Sequence, residues 1–133
     1  MDKAAMLRQQ RQQRATWLEL DEPARRGLQV RRPGEDTVAS WRSMIESVQG
    51  GNVLSALPKL REIARDVVID WRGFTEADLL GEAVGASSPQ EFDKDIFAEW
   101  VDDESVILIA IATHAATVYA AHRDKKAAAE KNS

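Results

Sequence analysis

Residues 105–121 contain no Lys, Arg, Asp or Glu, and from Val106 to Ala121 only Thr113, His114 and Thr117 interrupt the apolar side chains. As a helix, this run is apolar nearly all round, and such a helix has to be covered on more than one side. A chain of 133 residues has few other elements to cover it. The run is therefore either the central core helix or a core helix that also meets another subunit. It falls short of the about 20 apolar residues that cross a bilayer, so no membrane partner is expected. The leading MDKAAMLRQQRQQR has no apolar stretch of the secretory kind, and the expected location is the cytoplasm.

A chain of this length makes one domain with tails, and it can bury roughly two-thirds of its unfolded surface without staples. Cysteine is absent. That excludes a disulfide scaffold, a thiolate metal site and a cysteine nucleophile.

Charge is segregated along the chain. Residues 1–32 hold eight Lys/Arg against four Asp/Glu, whereas residues 66–104 hold twelve acids against Arg72 and Lys94 alone. A nucleic-acid binder concentrates basic charge on a folded element. Here the basic excess lies on a Gln/Arg-rich leader and a hairpin, and the acidic middle suits a basic protein partner; no nucleic-acid partner is expected.

Periodicity places the elements. Residues 1–14 are polar and read as a tail or frayed helix. Trp17 to Leu20 and Leu28 to Arg32 flank Asp21-Glu22-Pro23 and Gly27 and read as a hairpin over 17–32. Val38, Trp41, Ile45 and Val48 mark a helix over about 36–48. A second helix over 53–68, capped by Asn52, buries Leu54, Leu57, Leu60, Ile63, Ala64, Val67 and Val68, with a kink or a fresh start at Pro58. Residues from Asp70 to Ser88 read as a loop with one helical turn near Glu76 to Leu80. Ser88-Pro89 is a helix-opening signal, giving a third helix over 90–101. The last helix covers about 105–129, with a polar tail over 123–133. The fold expected is mainly α with a small N-terminal β-hairpin, an α+β arrangement of about four helices with a single globular domain over 15–122.

Catalytic constellations are missing from the pattern. His114 and His122 are eight apart, roughly 80° around a helix, which is not the i, i+4 spacing that shares a zinc. Asp93, Asp95, Asp102 and Asp103 lack a calcium-loop pattern. Gly50-Gly51-Asn52 is no phosphate loop, and no G-x-S-x-G occurs. The expectation is a protein that is not an enzyme and has no cofactor and no metal. Trp is over-used instead: Trp17, Trp41, Trp71 and Trp100 fall one per segment. Core packing is the ordinary role for each, and any could anchor an interface. Trp71 lies at a loop opening, off any helical stripe.

The order of elements resembles the tail assembly chaperones of long-tailed phages and prophages. The residues carrying the resemblance are the hairpin WLEL…LQVRRP, the hydrophobic-hydrophobic-x-Asp-Trp-x-Gly stretch Val68-Ile69-Asp70-Trp71-Arg72-Gly73, and the Pro89 to Phe92 segment before a downstream helix. The resemblance covers residues 15–132. It departs where the family's acidic-Gly turn is replaced by Thr75-Glu76-Ala77-Asp78-Leu79-Leu80-Gly81. The resemblance implies a protein that binds the tape-measure protein, helps recruit tail-tube protein and is absent from the finished virion. It also implies a longer form made by ribosomal frameshifting, for which Glu130-Lys131-Asn132 allows a slippery codon run. The contact residues expected are Trp71, Phe74, Phe92, Trp100, Ile107 and Ile111, and a homo-oligomer is compatible with the apolar last helix. The alternatives are a structural phage component, such as a head–tail connector or minor tail protein, and a small host adaptor module.

Overall fold

The computed structural model describes residues 2–13, 15–51 and 53–131. Among these, the elements in chain order are α1 (Lys3–Gln13), β1 (Thr16–Glu19), β2 (Gly27–Val30), α2 (Glu35–Gln49), α3 (Val53–Val67), β3 (Val68–Arg72), α4 (Glu76–Leu80), α5 (Lys94–Val101) and α6 (Ser105–Lys131). The Asn52 cap and the side chains of Ile45 and Val48 lie outside the described residues.

The hairpin forms as its alternation dictates. Leu28 and Val30 of β2 point into the core while Gln29 between them is half-exposed. A third strand, absent from the sequence expectation, completes an antiparallel sheet in the order β1-β2-β3. Its register carries an irregularity: Gln29 faces Asp70 but Val30 faces Val68, so Ile69 is an extra residue on β3. A bulge switches which face the following side chains occupy. That is how Val68 and Trp71, three residues apart, are both buried. Buried residues three apart imitate a helix, which is why VVIDW reads from sequence as a helix end.

α3 continues through Pro58 as one helix, so Pro58 is not a fresh start. The amide it lacks would have met the carbonyl of Leu54; that residue, expected in the buried stripe, lies about 120° around the helix from Leu60 and is 83% exposed, where water can replace the donor. The face of α3 that meets the sheet and α6 carries Ala56, Leu60, Ile63, Ala64 and Val67, all buried. Of the two forms expected for the N-terminal segment, tail or frayed helix, the helix is found, and the last helix extends two residues past its expected end. In α1, the Asp2 carboxylate accepts from the Ala5 amide at 2.7 Å and closes the first turn. At the other end α6 runs to Lys131, since Lys125, Lys126, Ala127, Ala128 and Ala129 are all good helix formers.

The helix expected over 90–101 begins only at Lys94, capped by Asp93, whose carboxylate accepts from the amides of Asp95 and Ile96. The Ser88-Pro89 signal is overridden because residues 89–90 already have β-type partners. Pro89 bridges Thr75, and the Gln90 amide donates to the Phe74 carbonyl at 2.9 Å.

Candidate protein-binding site

The VIDWRG stretch and the 89–92 segment build one aromatic cluster. Trp71 stacks on Phe74 with ring centroids 4.3 Å apart, and Phe92 meets Trp71 edge-on at 5.3 Å. Trp100 of α5 meets the far side of Phe74 edge-on at 5.0 Å. The Trp71 indole Nε1–H donates to the Gln90 carbonyl at 2.8 Å, so the tryptophan pins the extended segment to β3. Gly73 makes the turn between the two rings. It sits at φ +75°, and a Cβ there would lie 1.8 Å from the Arg25 carbonyl oxygen. The result is a groove of 500 Å³ bounded by Asp70–Thr75 on one side and Pro89–Phe92 on the other.

Salt links hold this corner to the hairpin loop. Arg25 donates both Nη groups to the two Asp78 carboxylate oxygens at 2.9 Å. The bidentate bond to Arg25, aided by the Thr75 amide and hydroxyl, holds the Asp78 carboxyl far below the usual carboxylate range. Asp21 is likewise lowered, chiefly by its hydrogen bond from Arg26, whose guanidinium lies over the Phe74 ring at 5.5 Å. On the opposite side, Arg61 and Arg65 of α3 both reach Asp102, tying α3 to the turn before α6.

α6 buries one stripe only. Leu108, Ile111, Ala112 and Ala115 are buried at spacings of three and four. On the opposite side Thr113, Thr117 and Ala121 are exposed, and Val106 is 78% exposed. By length and composition the helix could cross a membrane, and 22% of its most apolar stretch is buried. That buried stripe, however, is part of the same core as α3 and the sheet, and spanning a bilayer would strip the core of it. Within the chain the fold covers one side of α6, so the reading as a core helix enclosed by its own chain is corrected, and the alternative, a core helix that also meets another subunit, is the one compatible with this exposure.

The six expected contact residues separate into two groups. Phe74 and Ile111 are buried to 2% and 0% exposure and Trp71 to 5%, so these three are packing residues, with Trp71 and Phe74 also flooring the groove. Phe92, Trp100 and Ile107 are half-buried against the core and retain surface. The exposed side of α6 was missed because Ile107 and Ile111 are the bulkier residues, and bulk marks the inner stripe. Its signal is the uncharged Thr113 and Thr117 lying opposite Ile111 and Ala115 on the helical wheel.

His114 sits beside the sheet, its Nε2 2.7 Å from the Thr16 hydroxyl. Burial lowers its pKa from the ordinary 6.5. A histidine with a depressed folded-state pKa binds a proton more readily when unfolded. The His114 contribution to stability is therefore constant above 6.5 and is lost as pH falls through 6.5 towards the depressed value. Urea midpoints at about pH 7.5 and about pH 5.5 check this: the wild type is expected to lose stability between them, and His114→Gln to lose less.

Among the described residues, no three His, Asp or Glu side chains converge to hold a metal ion. A comparison with protein-family models, with curated proteins and with solved structures finds no match to this chain.

Proposed function

We propose that this chain is a phage tail assembly chaperone. It binds the tape-measure protein, a long helical polypeptide, in the bacterial cytoplasm, helps bring tail-tube protein to it, and leaves before the virion is complete. The observation that carries this is α6: over residues 105–121 it is uncharged, with one side in the core and Val106, Thr113, Thr117 and Ala121 open to solvent. An uncharged helix face of this kind suits helix-in-groove contact with an elongated partner. The sequence resemblance also supports it, and two of the segments that carry it meet in the structure, where Asp70 to Gly73 and Pro89 to Phe92 line one groove.

The acidic surface supplies steering towards a basic client. Not every acid there is free to do this. Asp93 caps α5, Asp102 holds Arg61 and Arg65, and Asp78 holds Arg25. Glu91, Glu99 and Asp103 are exposed and take part in none of these links. Reversing those three to Lys is expected to slow client association about tenfold at low salt and to flatten its salt dependence, with little change in stability. An unchanged association rate removes the steering role.

The direct test is co-expression with the tape-measure protein of the phage or prophage that encodes the chain. The client is expected in the soluble fraction, co-purifying with the chain, and to aggregate without it. A client whose solubility is the same with and without the chain contradicts the proposal.

A further inference from the structure

The inward stripe of α6 continues past the core and changes character. From Leu108 through Ala112 to Ala115 it is apolar and buried. The same steps of four and three lead on to Tyr119, His122 and Lys126. Together with Arg123 they meet residues 32–35, at the junction of β2 and α2, around a cavity of 130 Å³. Arg32 is half-buried there, and its Nη1 lies 2.7 Å from His122 Nδ1. An arginine can only donate, so Nδ1 accepts and the imidazole carries its proton on Nε2. Arg32, Arg123 and Lys126 thus share one concavity with a single carboxylate, Glu35. Arg123 has Asp124 at 3.8 Å as well, but that pair is exposed and screened. Like charges gathered on the inward side of a helix repel one another, and a concave site focuses their field.

We propose that this cavity binds a phosphate group, as free phosphate or as the monoester of a small molecule. Three cations against one carboxylate leave the lining at a net +2, which a dianion neutralises. Arg32 and Arg123 each offer a planar fork of N–H donors that fits two oxygens of a tetrahedral oxyanion, and Lys126 adds a point charge. The volume is that of about four water molecules at about 30 Å³ each, enough for one such oxyanion. A nucleic-acid backbone needs a longer basic track, and the net charge of −4 on the chain opposes it. One small dianion at one point is what the arrangement suits. Nothing in this depends on the chaperone reading, and its failure leaves that reading untouched.

An amide chemical-shift titration of the full chain with inorganic phosphate, against chloride at matched ionic strength, tests it. The expected result is a saturating response confined to residues 32–35 and 119–126, with a Kd of about 1 mM, and no such response to chloride. Arg32→Gln and Lys126→Gln are each expected to weaken binding at least about fivefold, and Glu35→Gln to tighten it about threefold. Lys131→Gln, outside the cavity lining, is expected to bind as the wild type does. Thermal unfolding without phosphate separates binding from folding. Lys126→Gln is expected to melt no lower than the wild type, because it removes one of several like charges, whereas a lysine that only holds the fold together would lower the melting temperature. Glycerol 3-phosphate distinguishes the sources: tighter binding than inorganic phosphate assigns a monoester, and equal or weaker binding assigns free phosphate. A response that rises linearly without saturating, or that spreads over the surface, overturns the proposal. So does equal binding by Lys126→Gln, or an equal response to chloride.

Discussion

Gly73→Ala is expected to lower folding stability by about 3 kcal/mol or more and the melting temperature by roughly 10 °C or more. Two costs combine at this position. The backbone is left-handed, with φ +75°, and the new Cβ would lie 1.8 Å from the Arg25 carbonyl oxygen. The second cost is the larger, because the obstructing atom is backbone in a loop held by the Arg25–Asp78 and Arg26–Asp21 links. Gly51→Ala provides the control. Gly51 has φ +92° but nothing within 4 Å of the added carbon, so only the conformational cost of about 1–2 kcal/mol applies. Thermal unfolding followed by circular dichroism separates the two. Equal losses for both variants show that the hairpin loop does not press against Gly73.

Trp71→Ala is expected to cost about 3–5 kcal/mol, a large share of the about 5–15 kcal/mol typical of a domain. The ring is buried between Phe74, Phe92 and Phe97, and its removal leaves a hole that three aromatic neighbours cannot close by rotamer changes. Trp71→Phe keeps most of the ring volume but deletes the Nε1–H that the Gln90 carbonyl accepts. It is expected to cost about 1–3 kcal/mol and to loosen the 89–92 segment. Urea unfolding of both variants checks the order. A Trp71→Ala variant that keeps its stability and loses only client binding would return Trp71 to the surface and contradict the packing described here.

Much of this architecture was legible in the residues, where local periodicity and burial agree. Trp41, Leu60 and Ile63 lie on helical stripes and are buried as expected, and the helical turn expected near Glu76 to Leu80 is there. The misses have a common cause, which is long-range pairing overriding local signals. β3 is a strand because β2 offers it a partner, and the Ile69 bulge gives its buried residues a helical spacing. The Ser88-Pro89 helix start is cancelled by Thr75 and Phe74, partners distant in sequence. The apolar character of α6 was plain in the sequence. Which side stays open was not, because it depends on where α3 and the sheet dock. Neither Phe74 nor Ile111 could be assigned to core or surface before that docking was known.

In the proposed chaperone role, the solvent-facing side of α6 holds the client. Val106→Glu with Thr113→Glu tests it most directly. Both positions are exposed, so the fold is expected to keep its stability within about 0.5 kcal/mol. Binding to the tape-measure protein, measured by titration calorimetry on the purified double variant, is expected to weaken at least about tenfold, since two charges would have to be buried. A double variant that binds this client as tightly as the wild type contradicts the account.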